Sequence, residues 1–157
     1  MSETDKLVKA RQVFRDLCKS LDARNWHYQE DVERLRIDCK VNGKDIPMDL
    51  SLRVDADKQL LMLLSTLPFN VPEDKRLDLA IAISQVNDVL VDGSFDYDVK
   101  RGRILFRMTN SFIESDIGND LFDYLVGCSC QTIDEYNDKM MKVSLGIMSV
   151  EDFIKEI

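Results

Sequence analysis

Three aspartates beside a glycine come closest, in type and spacing, to a metal site in this chain. Asp92, Asp96 and Asp98 lie in the segment VDGSFDYDVKRGRILFRM. A calcium loop of the EF-hand type needs glycine at its sixth position and a bidentate glutamate at its twelfth. Counted from Asp96, these positions hold Arg101 and Arg107, and counting from Asp92 fails in the same way. The segment alternates as a half-buried hairpin does, which predicts that the aspartates form its wet face.

Residues for nucleophilic or zinc chemistry are few and scattered. His27 is the only histidine and stands in a polar stretch, with no group nearby in sequence to orient its imidazole. Cys128 and Cys130 could supply half of a zinc site, but Cys18 and Cys39 are isolated, and zinc normally takes four ligands. The glycines are too far apart for a phosphate-binding loop. The sequence therefore predicts no catalytic residues, no metal site and no cofactor.

Composition limits the class of protein and its partners. The 157 residues fit a single domain, residues 1–157, with 45% hydrophobic and 32% charged residues and a formal net charge of -8. This charge repels nucleic-acid phosphates and anionic lipid, so neither is an expected partner. No run of about 18 apolar residues occurs, and the N-terminus lacks a secretory signal pattern. We expect a cytoplasmic protein with reduced cysteines.

Apolar spacing predicts the first half of the chain. Residues at intervals of three and four after a Ser2–Asp5 capping box predict a helix ending near Ala23. Alternation on both sides of Asn42-Gly43 then predicts a hairpin with a tight turn of positive backbone φ. The unbroken apolar run from Leu60 to Leu64 predicts a third strand that stops at Pro68. Such a strand is covered on both faces, with a helix on one side and a second chain as a candidate for the other.

The second half of the chain is predicted to form a helix, a hairpin and further helices. Pro72 marks the start of a second helix that runs toward Gly93 and is apolar on more than one stripe, so we expect it to be buried more than halfway round. The hairpin around Gly102 and further helices to the C-terminus follow. The predicted fold is α+β, in the order helix, three antiparallel strands, helix, two antiparallel strands, C-terminal helices.

The element order and three segments resemble a known family. The segments are LPFNVPEDKRLDLAIAISQVN, GSFDYDVKRGRILFR and SLGIMSVEDFI. Together they resemble the YbjN-like family of bacterial proteins, which is grouped by fold with type III secretion chaperones, and the likeness extends from about Leu7 to Ile157. The resemblance implies a cytoplasmic α/β protein, often a homodimer, with a sensory or stress-linked regulatory role. It carries no catalytic signature, and the client-peptide binding of secretion chaperones need not accompany the fold.

Two functional classes follow from the sequence. The first is a non-enzymatic, homodimeric module with a regulatory or chaperone-like role that docks an unidentified protein or peptide through its sheet edge or first helix. In this hypothesis Phe14, Leu17 and Leu21 face the partner. The dimer interface is formed by Leu79, Ile83, Val86 and Leu90, or by the opposite stripe of that helix. The alternative is a small-ligand sensor or enzyme with a pocket between sheet and helices.

Overall fold

A computed structural model describes the whole chain, residues 1–157. Its helices are α1 (Glu3–Ala23), α2 (Arg76–Val89), α3 (Asn119–Ser144) and α4 (Val150–Lys155), and a 3-10 turn, Glu73–Lys75, leads into α2. Its strands are β1 (Gln29–Asp31), β2 (Arg36–Val41), β3 (Met48–Asp55), β4 (Leu60–Asn70), β5 (Ser94–Asp98) and β6 (Arg103–Ser111).

The six strands form one antiparallel sheet in the order β1-β2-β3-β4-β6-β5. α1 packs on β3, α2 on β5 and α3 on β3, β4 and β6, while α4 packs on α2 and α3. The predicted α+β class is confirmed. The prediction missed β1, because three polar residues, Gln29–Asp31, show no apolar alternation.

The start of α1 is confirmed in detail. The Ser2 hydroxyl accepts a hydrogen bond from the Asp5 amide at 3.1 Å, and the Ser2 amide donates to the Asp5 carboxylate at 3.1 Å. These two bonds satisfy backbone groups that the first helical turn leaves without partners. α4 begins similarly, with the Ser149 hydroxyl accepting from the Asp152 amide.

The hairpin between β2 and β3 is confirmed, but its predicted tight turn is wrong. Residues 42–47 form a longer connection, and Gly43 has no positive φ. The glycine is needed there for a close approach. A Cβ at position 43 would lie 2.4 Å from the Ile46 carbonyl oxygen and 2.5 Å from Asp134 Oδ1. The same carboxylate accepts from the Lys44 amide at 2.8 Å, which holds the connection against α3.

β4 differs from its prediction in length and in cover. It continues through Pro68 to Asn70, with a shift of register against β6 between Thr66 and Asn70 that accommodates the proline. Leu61, Leu63 and Leu67 are buried under the helices. The alternate side chains, Leu60, Met62 and Leu64, lie on the other side of the sheet and are only half-buried. The predicted helix cover of one face is confirmed, and no element of this chain covers the other face, so its cover by a second chain stays a prediction.

One apolar core lies between the sheet and the helices. It contains 33 buried residues, among them Phe95 and Phe106, which meet edge-to-face with their ring centroids 5.1 Å apart. α2 contributes only one stripe, Leu79, Ala82, Ile83 and Val86. The positions on either side of this stripe are half-buried, and the exposed side is limited to Leu77, Ile81, Ser84, Asp88 and Val89. The prediction that α2 is buried more than halfway round therefore agrees with the structure, although Leu77 and Ile81 are not part of the covered side.

Candidate functional site

The face of the sheet opposite the helices is a surface that no element of the chain covers. Side chains alternate along each strand, so those next to the buried ones point to this side. Adjacent strands align them in rows. Arg36 lies opposite Arg53, which lies opposite Met62, and Ser51 lies opposite Leu64. We call this surface the open face.

The open face contains a groove of about 900 Å³. Its apolar floor is formed by Leu64, Leu105 and Pro68. Four cationic and two anionic side chains surround this floor: Arg36, Lys40, Arg53 and Arg103, with Asp38 and Asp49. The groove is therefore locally positive on a chain whose formal net charge is -8.

The charges in the groove are unequally paired. Arg36 donates to Asp38 from both Nε and Nη2, at 3.0 and 2.9 Å, and Lys40 lies 3.9 Å from Asp49. Arg53 donates only to the Ser51 hydroxyl, at 3.2 Å. Neither Arg53 nor Arg103 has a carboxylate oxygen within 4.0 Å. Two arginines thus remain free to bind an anion.

The ionisable groups with raised pKa values that border the groove keep their protons near neutral pH. Burial raises the pKa of the Cys39 thiol to about 11. Burial and a hydrogen bond to Asp22 raise the pKa of Tyr28 well above its ordinary value. Hydrogen bonds to Asp38 raise the pKa of Arg36 further. At pH 7 Arg36 is therefore a fixed positive charge on the open face, whereas the Cys39 thiol and the Tyr28 hydroxyl are neutral and pack against the core.

The structure places the predicted partner-binding residues inside the protein. Phe14, Leu17 and Leu21 are at most 3% exposed and belong to the core beneath the sheet. They cannot contact a partner while the protein is folded. The apolar stripe of α1 is the side that packs on the sheet, and spacing alone does not distinguish a core stripe from a docking stripe.

The first set of predicted dimer-interface residues is also mostly buried within the chain. Leu79, Ile83 and Val86 are buried within the chain, and only Leu90 is partly exposed. The opposite stripe of α2, which was the second form of that hypothesis, is exposed instead. Leu77 is 75% and Ile81 is 52% exposed.

The outer edge of the sheet at β5 is closed by a side chain. The Asn87 amide donates to the Phe95 carbonyl at 3.0 Å, and its oxygen accepts from the Phe95 amide at 2.9 Å. Asn87 thus satisfies the groups that an added strand would use. This part of the edge, which the sequence analysis considered for docking, is not available to a partner strand.

The aspartate-rich segment forms the predicted hairpin. Asp96 and Asp98 lie on β5 with their carboxylates bound to arginine, Asp96 to Arg107 at 2.9 Å and Asp98 to Arg101 at 3.0 Å. Hydrogen bonds from Arg101 lower the pKa of Asp98. Asp92 accepts a short hydrogen bond from the Tyr124 hydroxyl. Each carboxylate is therefore bound to a separate partner, and the three do not share a ligand-binding centre.

The histidine and the cysteines do not form a cluster. His27 is exposed at the rim of the groove, and the four cysteines are unpaired thiols. No three histidine, cysteine or acidic side chains converge in a metal-binding arrangement. None of the helices has the length and apolar character needed to cross a membrane.

Comparisons with known proteins agree with this architecture. Residues 15–141 match the model of the YbjN family, described as "Putative bacterial sensory transduction regulator". The chain belongs to the YbjN family. A solved structure, "Crystal structure of YbjN, a putative transcription regulator from E. coli", is similar in fold with a TM-score of 0.57 and 15% identity, over 78% of this chain and 90% of that one. No curated protein sequence matches significantly.

The open face of this YbjN-family protein could be predicted from the sequence only in part. The residues that line its groove come from five strands, β1, β2, β3, β4 and β6, and their convergence depends on a strand order that spacing does not reveal. One signal was available. Leu60, Met62 and Leu64 make β4 apolar on its uncovered side, which indicates a surface that needs cover from outside the chain.

Proposed function

We propose that this YbjN-family protein is a non-enzymatic regulator that acts by binding a protein partner on its open face. The observation that carries this proposal is the half-buried apolar floor around Leu64 and Leu105, which no helix covers, within a ring of arginine and lysine. An apolar centre surrounded by polar residues, with arginine enriched, is typical of protein interfaces. The description of the family as a regulator supports the role.

The experiment is a comparison of captured partners. The tagged protein and its Leu64→Glu variant are used to isolate bound proteins from bacterial cells that express them. Leu64→Glu places a charge in the apolar floor, beside Arg107 on the neighbouring strand, so the fold is expected to tolerate it. Val8→Glu is the matched control, because Val8 is 61% exposed on α1.

We expect a defined partner to be captured by the wild-type protein and by Val8→Glu and to be lost with Leu64→Glu. Thr66→Tyr is a second test, since it fills the groove without removing an apolar contact. Circular dichroism confirms that each variant is folded. A partner that both groove variants retain would refute the proposal.

The second candidate is a small-ligand sensor, which the volume of the groove favours. About 900 Å³ lies within the range of small-molecule sites. The groove lies on the open face, so the predicted location between sheet and helices is not where this site would be. A metabolite mixture that stabilises the wild-type protein against unfolding, but not the Thr66→Tyr variant, would favour this candidate.

We propose further that the protein is a homodimer and works in the cytoplasm. Leu77 and Ile81 lie on adjacent turns of α2. The loop that contains Leu145 and Ile147 lies beside the start of that helix, where Gly146 is close to the Lys75 side chain. These four exposed side chains are more than 50% accessible and suit burial against a second copy. The four unpaired thiols suit a reducing compartment.

A further inference from the structure

We infer that the groove binds an extended peptide segment in which acidic residues flank a short apolar stretch. This inference rests on the proposed function, because it names the chemistry of the partner at the same site. The evidence is the placement of the two arginines that lack carboxylate partners, Arg53 and Arg103, at opposite ends of the apolar floor.

The strand register gives the separation of these arginines. Arg53 lies opposite Met62, and Met62 lies opposite Thr109 on β6. Arg103 is on the same strand as Thr109, six residues earlier. At about 3.4 Å per residue, the two arginine positions are at least about 20 Å apart.

The separation of Arg53 and Arg103 favours an extended ligand over a compact one. Because this is a separation of backbone positions, a compact anion could contact both guanidinium groups only if the two side chains extended fully toward each other, whereas an extended chain of about six or seven residues spans the two positions directly. Carboxylates at the two ends of such a segment would each meet an arginine, and charge-assisted bonds of this kind are among the stronger polar contacts. Leu64 and Leu105 lie between the ends and would contact apolar side chains of the segment.

The remaining charges on the open face favour an acidic segment over a basic one. Asp38 and Asp49 are next to Arg36 and Lys40, and Asp96 already binds Arg107. Arg36 also lies directly opposite Arg53 on the neighbouring strand. Two cations in this arrangement repel one another, and an added carboxylate would relieve that repulsion.

The test is a selection from random peptides displayed on phage. Peptides are selected on the wild-type protein and counter-selected on Leu64→Glu, so that only peptides that need the apolar floor survive. We expect aspartate and glutamate to be enriched on both sides of apolar residues. A synthetic peptide from the selection should bind the double variant Arg53→Gln, Arg103→Gln about tenfold more weakly than the wild type.

Two controls separate this inference from the proposed function. Arg11→Gln removes the same charge from an exposed position on α1 and should not change the affinity. Replacing the acidic residues of the peptide with their amides should weaken binding by a similar factor. Peptides that need Leu64 but are not acidic, or that bind equally well as amides, overturn the inference and leave the proposed function standing. If no peptide that needs Leu64 is recovered, the inference is also overturned, and the capture experiment then decides on the proposed function.

Discussion

Gly43 and Gly127 show how differently two glycines can be constrained. A side chain at position 43 would collide with the Ile46 carbonyl oxygen and the Asp134 carboxylate, whereas nothing lies within 4 Å of a Cβ at position 127 in α3. We expect Gly43→Ala to lower the free energy of unfolding by about 1–3 kcal/mol. Gly127→Ala should raise it by about 0.5–1 kcal/mol, since alanine favours the helix.

Urea unfolding of both variants measures these changes. Opposite signs are the expected result, and the contrast serves as its own control because both changes add one methyl group. A neutral Gly43→Ala would mean that the connection between β2 and β3 does not need its close contact with α3.

The buried thiols predict a loss of stability at high pH. Burial raises the pKa of Cys39 and Cys130 from about 9 to about 11. Between these pH values the unfolded chain has released protons that the folded protein retains, so folding becomes less favourable as the pH rises. The urea midpoint should therefore fall from pH 9 to pH 11.

The double variant Cys39→Ala, Cys130→Ala isolates this effect from other groups that titrate at high pH. Its midpoint should fall less between pH 9 and pH 11 than that of the wild type. Parallel losses in the two proteins would show that these thiols do not cause the change.

At the level of helices, α2 offers a sharp comparison between two isoleucines. Ile81 is 52% exposed, whereas Ile83 is 4% exposed and lies in the core. We expect Ile81→Glu to convert a dimer of about 36 kDa, twice the 18.1 kDa chain, into a folded monomer. Ile83→Glu should instead unfold the protein, since it buries an unpaired charge.

Light scattering coupled to size exclusion gives the mass, and circular dichroism gives the fold. If wild-type protein is monomeric, or if Ile81→Glu remains a dimer, the exposed stripe of α2 is not the interface.

The edge strand β5 gives a second comparison. Asn87→Ala leaves the amide and carbonyl of Phe95 without their side-chain partner, so we expect a loss of about 1–2 kcal/mol and a greater tendency to associate through the free edge. Asn87→Asp keeps the acceptor for the Phe95 amide but loses the donor, so its effect should be intermediate. Urea unfolding and sedimentation measure the two consequences, and equal stability of all three proteins would contradict this role of Asn87.

The helices and strands were largely predictable because each has a local signal. The capping box at Ser2 and the alternation in β2, β3, β5 and β6 all predicted the observed elements. Besides the missed β1, the wrong turn between β2 and β3 and the length of β4, the errors concern which side of an element faces a partner. The apolar stripe with Phe14 and Leu17 has the same spacing whether it faces a core or a partner, and only the packed structure decides between them.

For the molecule as a whole, the arrangement of layers determines where a partner can bind. All the helices that contact the sheet share one side of it, so the other side combines an apolar floor with arginines from several strands. No local pattern predicts this surface, because Arg53 and Arg103 are 50 residues apart in the sequence and meet the same groove only through the strand order β3-β4-β6. The net charge of -8 likewise hides the local excess of cations.

Site-specific photo-crosslinking in living bacteria tests the open face most directly. A benzophenone amino acid is placed at Thr66, which is exposed in the groove, or at Arg11, which is exposed on α1 on the other side of the molecule. We predict that Thr66 gives a discrete crosslinked partner and that Arg11 does not. Crosslinks to a defined partner from Arg11 alone would contradict the proposal that this protein acts through the open face of its sheet.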